Sequence, residues 1–456
     1  MAINNIIYED FKLLSCQIVI GEANPTNPII IENQKVINEV VDIVINDNYK
    51  TLIDTAEVTL TKGTVFQSDI IKNVTTDGRD SRRVVQQSDK EDRIQTEKRG
   101  DGIIIEKIVT QSLVNAESIK VGNRINIKIG YNGKLKNMFD GYIVAISPEV
   151  DFVLKCENMA YLLKTKQAPK LHIPKSQAYI HDICGEKFGL LKGTGFELHP
   201  DVLKSKINVG AVEMVDNLTV ADVFNWWGKS GVHVFLKYDD RDNTGMPKIA
   251  VLRPYSSANG NKDKPLENAY PIYFDYHVAD NGLEYMIEDP MFLAVQGTGL
   301  MNNGKFFKLT IRKNPSYDPS NPSSKKYQTV NATQISKRQQ KKTGNKTASG
   351  AETRIKVDLS NYNIIPYVSN RQGITSDELR DECIEWFETY EKNGIEGTVT
   401  IFGDYGLTSA VHVNIIDDRN SDKNGIYIVD EVKTTFGVKG YRQELKLPHR
   451  VKKTEK

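Results

Sequence analysis

The residue types that carry most chemistry are present, but they do not cluster. Seven histidines are scattered along 456 residues. His172, His181 and His199 lie closest together, 9 and 18 residues apart, which is no ligand spacing. They read as structural or surface histidines. Cys16, Cys156, Cys184 and Cys383 form no CxxC pair and read as reduced thiols of a protein made in the cytoplasm. No HExxH, GxSxG, Walker A or GxGxxG is present. The expectation is therefore no enzyme, with no catalytic, cofactor-binding or metal-binding residues and no cofactor.

Five segments imitate sites. Asn420, Asp422 and Asn424 with Gly425, and Glu431 in the twelfth place, nearly fit a calcium loop. The first ligand is Asn rather than Asp, no helices flank it, and Ile426 to Val432 alternates as a strand, so a polar hairpin turn is expected. Asp239 to Gly245 is read the same way. Trp226-Trp227 would suit a sugar or base platform, but on a capped amphipathic helix at least one belongs in the core. Trp386 and Phe387 are both expected in core packing. The stretch 325–346 has basic charges and no acids; it would suit nucleic acid or an acidic protein, against the plainer reading of a solvated loop.

The elements that must position these residues are mostly strands. Lys plus Arg is 60 against 59 for Asp plus Glu, a balance that argues against a dedicated nucleic-acid binder. No apolar run reaches the length of a membrane span, and no secretory leader pattern opens the chain. QKVINEVVDIVIND (34–47) and TLIDTAEVTLTKG (51–63) predict a hairpin, and strands follow at 103–110, 124–131, 140–147 and 151–157. Asn132-Gly133 is a strong hairpin signal. Residues 73–100 mix dense charge with few apolar side chains and predict a long loop. Over 174–235 the pattern changes. Ser176 is a candidate cap for AYIHDICGEKFG and Thr219 for VADVFNWWGKSG, with strands following at 231–239 and 248–254. Strands resume from Tyr273 (YFDYHVA, LEYMIE, MFLAVQGTG, KFFKLTIR), and a second polar loop is expected over 313–353 before RIKVDLS (354–360). Thr375 and Glu378 make a capping box for a helix over 376–392. Its apolar stripe is Leu379, Cys383, Trp386, Phe387 and Tyr390, and it is expected to lie on a barrel wall. Four strands and a basic tail close the chain.

A weak internal repeat runs through this order. RINIKIGY, Asn-Gly, GYIVAIS and FVLKCE are echoed by HVNIIDD, Asn-Gly, IYIVDEV and YRQELKL. The expected fold is α+β and mainly β, with two copies of one barrel around an α/β insertion. The expected domains are 1–165 (loop insertion 64–102), 166–269, 270–450 (loop 313–353, helix 376–392) and a tail, 451–456.

Gly122-Asn123-Arg124-Ile125, Gly130-Tyr131, Phe139-Asp140-Gly141-Tyr142-Ile143 and Leu154-Lys155-Cys156-Glu157-Asn158 resemble the first barrel of phage tail and baseplate hub proteins. That family includes the late control D proteins and is related to the hub part of type VI secretion spike proteins. NGIYIVDEVKTTF followed by YRQELKL resembles its second barrel, and 176–237 the piece between the two. The resemblance implies a virion protein made in the host bacterial cytoplasm. It implies two tail-tube-like barrels in tandem and a homotrimer whose six barrels form a ring, with neighbours covering open strand edges. Implied partners are the tail tube protein, a threefold central spike or tip protein, the tape measure protein and other baseplate proteins, with genome DNA in transit and no membrane span. The alternatives are the hub part of a contractile secretion-system spike, or a non-enzymatic glycan- or nucleic-acid-binding β-protein.

Overall fold

The computed structural model describes residues 12–453 apart from 25–26, 29, 62–63, 76–91, 99–103, 114–118, 149–151, 175–176, 205–206, 211, 215–216, 230, 239–245, 253–268, 288–292, 302–303, 319, 322, 336–361, 391–392, 404 and 449. Ten strands form in the N-terminal part, most of them from alternating apolar runs: β1 (Leu14–Ala23), β2 (Ile31–Ile37), β3 (Asp42–Asn48), β4 (Thr55–Leu60), β5 (Val65–Thr75), β6 (Asp92–Lys98), β7 (Ile104–Leu113), β8 (Arg124–Tyr131), β9 (Lys134–Pro148) and β10 (Phe152–Asn158). The predicted hairpin forms between β3 and β4, with Asp42 opposite Thr59 and Asn46 opposite Thr55. The segment 34–47 is not one strand: it breaks at residues 38–41 between β2 and β3. Asn132 and Gly133 both adopt positive φ, 50° and 75°, the backbone a two-residue β8–β9 turn requires.

The predicted loop over 73–100 is corrected in part. β5 runs on to Thr75, and β6 occupies Asp92–Lys98; both pair antiparallel with β7. β7 supplies the backbone partners, so β6 forms without an apolar face of its own. Residues 76–91 of that segment lie outside the described residues.

The middle of the chain holds α1 (Tyr161–Thr165), β11 (Leu171–Ile173), α2 (Ile180–Cys184), α3 (Pro200–Lys204), β12 (Val212–Met214), α4 (Val220–Gly228), β13 (His233–Lys237) and β14 (Lys248–Leu252). Thr219 caps α4 as expected, in a reciprocal box with Asp222. α2 is shorter than expected: its cap position is Tyr179, which makes no side-chain cap bond, and Gly185 ends it. Ser176 lies outside the described residues. Trp227 is buried beside Phe224, while Trp226 packs half-buried against the same core.

The C-terminal part holds β15 (Tyr270–Tyr273), α5 (Phe274–His277), β16 (Val278–Ile287), β17 (Leu293–Leu300), β18 (Phe306–Lys313), β19 (Tyr327–Ile335), β20 (Asn363–Gln372), α6 (Ser376–Tyr390), β21 (Asn393–Phe402), β22 (His412–Ile416), β23 (Gly425–Ile428), β24 (Glu431–Gly437), β25 (Gly440–Leu447) and β26 (Arg450–Lys453). Three readings are corrected here, and a fourth is not tested. YFDYHVA contains the short helix α5. β19 is a strand inside the expected basic loop, because its uncharged YQTVNATQI pairs along β18. The expected basic tail begins as β26, paired with β23. RIKVDLS lies outside the described residues.

Fourteen strands form one sheet in the order β16-β21-β25-β24-β3-β4-β10-β9-β8-β1-β2-β5-β7-β6. β15-β22-β23-β26 forms a second sheet, and β19-β18-β17-β20 a third. One core joins Ile272, Val413, Ile415 and Tyr427 of the second sheet to Val399, Ile401, Val432 and Leu445 of the first. The third sheet has its own core, made with α6.

The helix α6 lies on the sheet β17-β18-β20. Thr375 and Glu378 cap it reciprocally. Leu379, Cys383 and Phe387 are buried, but Trp386 is 36% exposed and leans on Tyr367 with ring centroids 5.4 Å apart. Two glycines of β17 set this position. A Cβ at Gly297 would fall 2.2 Å from Cys383 Sγ, and one at Gly299 2.6 Å from Ile374.

Candidate assembly interface

Among the described residues the N-terminal strands do not close on themselves. β3 is instead covered by β24, in a seven-residue antiparallel seam from Asp42 opposite Gly437 to Asn48 opposite Glu431. An unpaired backbone edge is costly when buried and adhesive when exposed, so the seam fixes how the two ends of the chain meet. For this edge, the expectation that a neighbouring subunit covers it is corrected: the chain covers it itself. Packing reinforces the join. Phe436 and Tyr441, from β24 and β25, are buried in the N-terminal core with Ile18, Ile43, Ile127 and Phe139. The Tyr131 hydroxyl donates to the Tyr441 carbonyl at 3.2 Å.

A polar cluster sits at one end of the seam. The Tyr49 hydroxyl donates to buried Asp430 at 2.7 Å, and Lys50 pairs with the same carboxylate. Asp47 accepts from the Ser409 amide at 2.9 Å and from its hydroxyl at 2.5 Å. Asp54 accepts from the Asn48 amide at 3.1 Å and from Asn158 at 2.7 Å. His233 meets Tyr49 edge to face at 5.7 Å, which brings the middle of the chain into the same cluster. Desolvation raises the carboxyl pKa of Asp47, and that of Asp54 further because the Asp47 charge is near. Burial, and then the Lys50 charge, lower the His233 imidazole to about 4. Such a cluster holds three parts of one chain in fixed register; it has the character of a structural joint.

The residues singled out in the sequence are not brought together. His172 is exposed on β11, His181 is half-buried on α2 beside Asp182, and His199 precedes α3 beside Asp201. All four cysteines are buried thiols. In the calcium-like loop, Asn420 caps a short turn at Ser421–Lys423 and Asn424 accepts from the Asp417 amide at 2.6 Å. Glu431 lies in β24, so these groups serve the turn. The second Asn-Gly of the repeat thus differs from the first: Asn424 has φ −63° and closes a longer turn through its side chain. Asp239 to Gly245 lies outside the described residues. No group of three or more candidate metal ligands occurs among the described residues, and no described helix is long and apolar enough to cross a membrane. The seam and the cluster around Asp430 escaped the sequence reading, because their members are single residues far apart in the chain.

No protein-family model matches the chain, and no curated protein matches it. Among solved structures it is similar to a tail protein from Neisseria meningitidis MC58, at 10% identity and TM-score 0.49, over 95% of this chain and 96% of that one. It is also similar to the 43 kDa tail protein of prophage MuSo2 from Shewanella oneidensis, at 12% identity and TM-score 0.47, over 95% and 98%. A third is a chain of the lidded Francisella PdpA-VgrG complex, at 10% identity and TM-score 0.43, over 97% of this chain and 55% of that one. Both of the first two are described as tail proteins.

Proposed function

We propose that the chain is a structural hub protein of a phage tail or baseplate. Three copies form a ring with pseudo-sixfold symmetry that joins a sixfold tail tube to a threefold spike or tip and lets the genome pass. The observation that carries this reading is the seam between β3 and β24. There one β region closes the open edge of another, 383 residues away in the case of Asn48 and Glu431. A ring needs that kind of heterologous contact repeated around an axis. Made once within each chain and joined by a further strand-edge contact between chains, it sets six β regions around a channel. In this reading the strands around β8–β10 and the C-terminal sheets around β22–β25 are the two tube-like barrels, and 166–269 is the α/β piece between them. The protein works as a scaffold without catalysis or cofactor. It is made in the host bacterial cytoplasm and resides in the virion.

Negative-stain class averages of the purified chain test this. Six peripheral densities around a hole, with threefold symmetry, are expected. Compact particles of single-chain size at every concentration would overturn it.

A further inference from the structure

The open strand edges of this chain are not alike. The outermost strands of the long sheet carry charge: β6 has Asp92, Arg93, Glu97 and Lys98, and β16 has Asp280 and Glu284. In the second sheet the edges β15 and β26 are four residues each. The two small sheets of the middle region have strands of three and five residues. Charge and shortness are two of the devices by which exposed edges are kept from pairing with other chains, beside proline and bulges. The third sheet uses neither. Its edges β19 and β20 are nine and ten residues long; β19 has no charged residue and β20 has only Arg371, next to its last position. Pro366 removes one donor from β20 and leaves the rest, and the β17–β20 and β18–β19 pairs each have one register shift.

The surroundings of β20 agree. Ile365 and Tyr367 turn toward α6, so Ile364, Pro366 and Val368 point to the opposite face, where Ile364 is 39% and Val368 66% exposed. On the α6 side, Trp386 stands exposed against Tyr367. A strand laid along β20 would cover apolar surface on both of its faces.

We infer that β20 of one subunit pairs with β19 of the next, extending the third sheet from chain to chain. The occupant is a second copy of this chain because, among the described open edges, only β19 matches β20 in length and lack of charge. The two strands run in the same sense within the sheet, since β20 is parallel to β17 while β19 and β17 are both antiparallel to β18. Rotation about a ring axis preserves that sense, so the new pair is parallel. Parallel pairs are usually buried on both faces, which fits the apolar groups on either side of β20. The inference rests on the ring reading above and names the contact that closes the ring.

The test uses the full-length chain in two blocked forms, Ile364→Lys/Val368→Lys on β20 and Thr329→Lys/Thr333→Lys on β19, followed by sedimentation velocity. Each form alone is expected to lose the ring-sized species. Mixed, they can make one junction and no more, because each keeps the edge the other lacks; a two-chain complex is expected and nothing larger. Rings from either blocked form would overturn the edge assignment and leave the ring reading standing. A single-chain mass for the unaltered protein would overturn the ring reading itself. If residues 336–361 of the same chain cover β20, the blocked forms assemble as the unaltered protein does, which also overturns the assignment. Melting curves establish that the lysine forms fold. If they do not, a Val368→Cys chain is mixed with a Thr329→Cys or Thr333→Cys chain: a disulfide between chains supports the pairing, and its absence in assembled rings refutes it.

Discussion

Acid should loosen the joint between the three parts of the chain through His233. Its imidazole is held near pKa 4 in the fold, against 6.5 when free. The unfolded chain therefore takes up a proton that the folded chain refuses until about pH 4. The stability His233 confers is complete above pH 6.5 and is lost as pH falls toward 4. Integrating that difference gives a loss of about 2 kcal/mol between pH 8 and pH 5 and about 3 kcal/mol near pH 4. Asp47 and Asp54, whose carboxyls are raised, act in the opposite sense. Their contribution is full below the free value of 3.8 and fades as pH rises through their folded values, so the test must be a difference. His233→Phe keeps an aromatic ring beside Tyr49 and Phe235, which lies 6.1 Å from Tyr49, and removes the titration. Urea melts read by fluorescence suit the question, because Trp226 and Trp227 sit on α4, which packs against β13. The stability gap between the two proteins should shift by about 2 kcal/mol between pH 8 and pH 5, against the unaltered protein at the lower pH. A gap constant with pH would show that His233 is not held neutral and that the joint is wetter than its geometry indicates.

Three further outcomes follow from the packing. Gly297→Ala drives a Cβ toward Cys383 Sγ, and overpacking of this kind costs about 1–3 kcal/mol; adding Cys383→Ala should recover part of it in a thermal-melt double-mutant cycle. Phe387→Ala should cost about 3–5 kcal/mol, and Trp386→Ala clearly less because Trp386 is partly exposed; equal losses of melting temperature would contradict the placement of α6. Tyr441→Ala empties the plug between the two ends of the chain, so amides of β24 should exchange hydrogen faster than those of β8, and equal protection in both strands would contradict the role given to the seam.

What could be read from the sequence was local. The cap at Thr219, the box of Thr375 with Glu378, and the Asn132-Gly133 turn are set by residues within four positions of each other, and all formed. Trp386 shows the limit. At i+7 from Leu379 it belongs to the stripe by spacing, but the helix sits where Gly297 and Gly299 leave room, and that centres the contact on Leu379, Cys383 and Phe387. Alternation marked β3 and β24 as strands but carried no record that they are neighbours. Charge density misled at β6, and the surrounding basic charges misled at β19, because a strand needs only a backbone partner and β7 and β18 supply it. The Tyr49, Asp430 and His233 cluster had no spacing signal at all; only the fold brings it together.

The most direct measurement of the central claim is the mass of the assembled protein in solution, taken by sedimentation equilibrium over a wide range of concentration. The account predicts a species of about 154 kDa, three times the 51.4 kDa chain, that persists on dilution. A single species of one chain at every concentration would contradict it.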